Sequence, residues 1–157
     1  MNLPWLQIFL GLHLVGLTMF AGTMLTSYVV DRTFWKQLPQ DKSRATALLG
    51  SAAKFQRFIG IGAALLILTG LGMMILTQGV FGQMLWFRIK FAIVIILIIN
   101  GLVFGRRLGM SLGKSLQQDL ATDSHVFTAI RSKFGYFYTA QLLLILTVIT
   151  LSALKFA

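Results

Sequence analysis

Residues 85–104, LWFRIKFAIVIILIINGLVF, decide the fold. They form an apolar run as long as a helix needs to cross the hydrocarbon core of a bilayer, about 20 residues at about 1.5 Å rise each. No apolar–polar alternation of strand period runs through them. In lipid the backbone finds no water to bond, so only helices and closed barrels span it. Working outward, three further runs of the same kind stand at 58–76, 5–30 and 135–153. The expected architecture is all-α: a single integral membrane domain over 1–157, folded as a transmembrane four-helix bundle.

Composition agrees. Of the 157 residues, 57% are hydrophobic and 11% charged, where soluble domains carry about 25% charged residues. The absence of Cys excludes disulfides and thiolate ligands, and there is no Glu. The net charge of +10 does not indicate a nucleic-acid partner. The basic residues form no stripe or face; they fill the gaps between apolar runs, as in loops facing anionic lipid.

These gaps also orient the chain. Segment 31–57 carries Arg32, Lys36, Lys42, Arg44, Lys54 and Arg57, and segment 106–134 carries Arg106, Arg107, Lys114, Arg131 and Lys133. Segment 77–84 carries no basic residue, and the tails carry only Lys155. The positive-inside rule then places both basic loops in the cytoplasm and both termini outside, as a multi-pass protein of the bacterial inner (cytoplasmic) membrane. The first run has no basic segment before it and is too long for a signal-peptide core, so it reads as a mature helix. Helix formers at 43–49 extend the second helix inward, Pro39 marks a turn, and Asp123 or Ser124 is the expected N-cap of the last helix.

Small residues recur inside the runs, among them Gly11, Gly16, Gly22, Gly60, Gly62, Gly70 and Gly72, with Gly101 and Gly105 at GxxxG spacing. Helix backbones approach closely at such positions. Packing within one bundle is the plain reading, and a homodimer face the sharper one.

Ionisable groups within a span cost about 2.5–3.5 kcal/mol each on insertion scales, so each needs a reason. The candidates are His13, Arg88 and Lys90. Counted from the outer ends of their helices, His13 lies about 12 Å deep and Lys90 about 8 Å, by the helical rise. Both therefore fall in the same outer layer. The functional reading is that they line one polar cavity, with His13 as metal ligand or proton-transfer base and Lys90 as the partner of an anionic group. The plain alternatives are a hydrogen-bonded His13 and a snorkelling Lys90. Arg88, shallower, reads as a snorkelling side chain beside Trp86. Asn100 and Gln141 fall at similar depth in the inner half and suit an interhelical hydrogen bond. His125 belongs to an inner loop as a solvated residue. Met73, Met74 and Met84 gather at the outer ends of their helices, where thioethers suit Cu(I), though Met is also common filler. No carboxylate falls inside the four runs, so a relay through Asp or Glu is not expected.

Three motifs resemble a known family. Gly11-Leu12-His13-Leu14-Val15 with Phe20-Ala21-Gly22 is similar to the first helix of HemJ-type protoporphyrinogen oxidases. Leu85-Trp86-Phe87-Arg88-Ile89-Lys90-Phe91 resembles their third-helix tryptophan and lysine pattern, and Thr69-Gly70-Leu71-Gly72 the end of their second. CopD-type copper-resistance domains share the layout. The chain departs from the oxidases at the end of the first helix, where Ser27-Tyr28-Val29-Val30-Asp31-Arg32 replaces a basic, aromatic motif containing histidine, and in a second helix without their proline. The resemblance implies a bundle holding haem b or a porphyrin between helices 1 and 3, with His13 and Lys90 as functional residues and Arg88 assisting. It implies a membrane oxidoreductase acting on a porphyrin. Two other readings remain: a CopD-like transporter or copper-handling protein using His13 and the outer methionines, and a non-catalytic accessory subunit of a larger complex.

Overall fold

The computed structural model describes residues 3–117 and 125–154. The helices are α1 (Leu3–Gln37), α2 (Lys42–Leu76), α3 (Leu85–Ile99), α4 (Arg106–Gln117) and α5 (His125–Leu154). A 3₁₀ turn (Val80–Gln83) precedes α3, and a π-helical turn (Asn100–Gly105) joins α3 to α4. Four helical stretches are long and apolar enough to cross a membrane: α1, α2, α3 continued through α4, and α5. The exterior matches that setting. Leu68, Ile75 and Leu102 are 66%, 77% and 68% exposed, whereas the polar Thr69 and Gln141 are 2% and 0% exposed. A soluble protein has the opposite arrangement.

The helices run well past the apolar segments at the end of the bundle that carries the basic residues, hereafter the basic end. At 35 residues α1 is about 50 Å long by its rise, well beyond the hydrocarbon core. Residues 31–37, expected in a loop, remain helical, and Trp35 Nε1 donates to Asp31 Oδ1 one turn back at 3.0 Å. The first basic connection shrinks to a tight turn around Pro39. Asp41 then caps α2, its Oδ1 accepting from the Arg44 backbone N–H at 3.0 Å, as N-cap carboxylates do. The helix formers that follow propagate inward as their sequence implies.

Residues 106–117, also expected in a loop, form α4. Leu108, Leu112 and Leu116 fall on one face at helical spacing. That face joins an aromatic core of Phe34, Trp35, Phe127 and Phe134. The N-cap expected at Asp123 or Ser124 lies outside the described residues.

Packing organises the helices into two units. In the first, α1 runs antiparallel along α2 at very close range. A Cβ on Gly16 would stand 3.2 Å from the Gly62 carbonyl oxygen, and one on Gly62 would stand 2.9 Å from the Phe20 backbone nitrogen. In the second, α5 packs on α3 and α4, and a Cβ on Gly105 would meet the Phe137 ring at 3.1 Å. These glycines thus serve contacts within one bundle. The units meet mainly where α1 touches α5, while α1 and α2 make no more than marginal contact with α3 and α4. A cleft is left between the units. A core layer of Phe20, Met24, Leu97, Ile145 and Val148 divides it into two cavities.

A candidate ligand cavity between the helix pairs

The cavity at the end opposite the basic turns, the neutral end, measures about 460 Å³. His13 enters it from α1 and Lys90 from α3, so the two side chains singled out by depth line one space. The Lys90 ammonium acts electrostatically on the His13 ring. The remaining walls are mostly apolar, including Leu17, Leu66, Val94 and Ile145, with Ser152 as a further polar group.

A residue not anticipated as a partner orients the histidine. Thr69 Oγ1 lies 2.8 Å from His13 Nδ1. The same hydroxyl lies 2.5 Å from the Leu65 carbonyl oxygen, one turn back in α2, and 3.3 Å from that of Leu66. A hydroxyl has one proton to donate. Thr69 donates it along its own helix, so towards His13 it accepts. With the hydroxyl proton assigned to its own helix, the matching tautomer of a neutral ring has its proton on Nδ1 and its lone pair on Nε2. Metal-ligating histidines commonly have this arrangement, in which the N–H opposite the metal is held by a fixed acceptor. The ring packs beside Gly70, where a Cβ would make an ordinary van der Waals contact with His13 Cε1 at 3.7 Å. Thr69 was visible in sequence as a polar residue at matching depth in the second span, but pairing it with His13 required knowing how α1 and α2 are rotated against each other.

The donor set limits what the site can hold. Among the described residues no group of three or more His, Asp or Glu side chains stands together as a cage for a bare ion. One imidazole suits a metal that brings its own equatorial ligands. Apolar walls with a cation opposite suit a flat apolar molecule bearing an anionic edge.

The other residues fall elsewhere. Arg88 is exposed and does not line the cavity; its Nε donates to the Gly82 carbonyl at 2.9 Å, fastening the turn before α3. No methionine lines the cavity with His13. Met84 instead accepts from Trp86 Nε1 through its sulfur at 3.2 Å. His125 is exposed at the start of α5 rather than in a loop. Gln141 does not bond Asn100 as expected. Its Nε2 donates to the Leu97 carbonyl at 3.3 Å, and its Oε1 is buried without a partner. The π turn beginning at Asn100 alters the helical phase there, and Asn100 lines a separate crevice.

A second cavity, about 620 Å³, lies towards the basic end. Asp31, Gln56, Arg106 and Tyr138 line it, together with Gly101, Gly105, Gly109 and Gly113. By sequence, Asp31 is expected in a loop. Helical continuation of α1 carries it into this cavity instead.

No protein-family model matches the chain, and neither a curated protein nor a solved structure shows significant similarity to it.

Proposed function

We propose that the chain is a tetrapyrrole-binding membrane protein that holds haem b or a porphyrin in the neutral-end cavity, between α1 and α3. The observation that carries this reading is the bond between His13 Nδ1 and Thr69 Oγ1, which leaves the Nε2 lone pair for a ligand. His13 would hold haem iron through Nε2 or, towards a metal-free porphyrin, would accept a proton there. Lys90, which lines the same cavity, would pair with a propionate. Haem, when bound, supplies four equatorial nitrogens and one-electron redox chemistry. The protein supplies orientation, charge pairing and exclusion of water. A copper site draws no support from the absence of methionine around His13.

The basic residues further support placing the protein in the bacterial inner membrane, with the basic end in the cytoplasm and both termini outside.

Absorption spectroscopy tests the binding. Protein purified from membranes, or titrated with haemin, is expected to show a saturable Soret band, and His13→Ala is expected to abolish it. A protein that stays colourless through the titration, or an unchanged band in the variant, refutes the assignment.

A further inference from the structure

We propose that the basic-end cavity is a binding site for a phospholipid whose headgroup carries a primary ammonium, with Asp31 taking the ammonium and Arg106 the phosphate.

Asp31 is the only carboxylate in the described part of the cleft, and it is half-buried. Its Oδ1 accepts from Trp35 Nε1 at 3.0 Å. None of the described residues forms a direct ion pair with the carboxylate, although Arg32 and Arg131 act on it electrostatically from further away. A charge in such a setting calls for a counter-ion. Arg106 lines the same cavity and, among the described residues, has neither hydrogen bond nor ion pair. The cavity wall thus presents one carboxylate and one guanidinium, each without a direct ion pair among the described residues, which together match a zwitterion.

The other walls identify the rest of the ligand. Val30, Leu102 and Met110 are apolar, and a Cβ on Gly109 or Gly113 would meet nothing within 4 Å. An open, apolar groove beside a charged pair fits an acyl chain below a headgroup. The cavity also lies where the helices leave their apolar segments, the depth at which headgroups reside, and marginal packing between α2 and α3 leaves it accessible from the side.

Charge complementarity selects among lipids. A purely anionic headgroup would satisfy Arg106 but meet repulsion at Asp31. A choline headgroup has the positive charge but no N–H to donate. A primary ammonium donates hydrogen bonds to the carboxylate, and such charge-assisted bonds are the stronger kind. A soluble phosphodiester of the same headgroup would leave the groove unfilled.

The test uses the full chain in neutral detergent, with native mass spectrometry and thermal melting. The probes are phosphatidylethanolamine, its N-methylated series through phosphatidylcholine, and phosphatidylglycerol, all with identical acyl chains, and soluble glycerophosphoethanolamine. Phosphatidylethanolamine is expected to bind about tenfold tighter than phosphatidylcholine or phosphatidylglycerol, with affinity falling along the methylation series. Asp31→Asn, which keeps an acceptor for Trp35, is expected to erase the preference. Arg106→Gln, at an exposed position, is expected to weaken all the phospholipids alike. Equal affinity across headgroups, a preference that survives Asp31→Asn, or equal binding of the soluble headgroup overturns the proposal. None of these measurements involves a tetrapyrrole, so the result is independent of the neutral-end site.

Discussion

His13 Nδ1 and Thr69 Oγ1 stand 2.8 Å apart although 56 residues separate them in the chain. The contact depends on the glycine crossing of α1 and α2, on a threonine whose proton is spent on its own helix, and on a histidine at the same depth. It converts an isolated imidazole into an oriented one, held at Nδ1.

Thr69→Val keeps the β-branched shape and removes the acceptor. Loss of such an outer partner commonly costs about 10–100-fold in metal affinity. Haemin titration of Thr69→Val should show that loss, with Thr69→Ser close to the parent. Parent-like affinity in the valine variant would mean that the bond does not orient a ligand.

If Lys90 pairs with a propionate, its effect must depend on free carboxylates. Lys90→Met should weaken binding of a dicarboxylate porphyrin by about tenfold, roughly one charge-assisted contact. The dimethyl ester of the same porphyrin should bind parent and variant equally. Equal losses for both forms would assign Lys90 to packing.

Gly62 is where a notional Cβ on the α1–α2 crossing comes nearest to backbone, 2.9 Å from the Phe20 nitrogen, whereas the shorter approach at Gly72 is to the Phe9 side chain. Backbone cannot yield as a side-chain tip can. Gly62→Ala should cost about 1–3 kcal/mol, the usual range for overpacking. Gly11, with nothing within 4 Å of its notional Cβ, is the control; Gly11→Ala should stay within about 0.5 kcal/mol of the parent. Reversible unfolding in mixed micelles measures both, and equal effects would place the tight crossing elsewhere.

Gln141 is fully buried with Oε1 unpartnered and one bond of 3.3 Å from Nε2. Replacing an under-satisfied amide by an apolar group of similar size is often nearly neutral. Gln141→Leu should therefore lie within about 1 kcal/mol of the parent, or above it. Gln141→Ala, which leaves a void, should lose about 2 kcal/mol or more. A large loss in the leucine variant alone would show that the amide holds the π turn in place.

Much of the architecture follows from composition along the chain. Runs such as 85–104 are too apolar to remain in water, and the lipid then requires helix. Charge in the gaps and turn chemistry at Pro39 and Asp41 are local features and were readable as such. The extents of the helices were less so. Residues 31–37 and 106–117 are polar enough to resemble loops, yet they become helical because one face of each meets an aromatic core assembled from distant segments.

Sequence by itself determined that the chain forms membrane-spanning helices and that His13 and Lys90 share a depth, because hydropathy and helical rise are properties of position along the chain. Tertiary structure alone decided which side chains face one another. Depth fixes height along a helix but leaves rotation about its axis open, and that rotation is set by contacts such as Gly16 against Gly62. It brought Thr69 to His13, turned Gln141 to the Leu97 carbonyl instead of Asn100, took Arg88 out of the cavity and brought Asp31 into one.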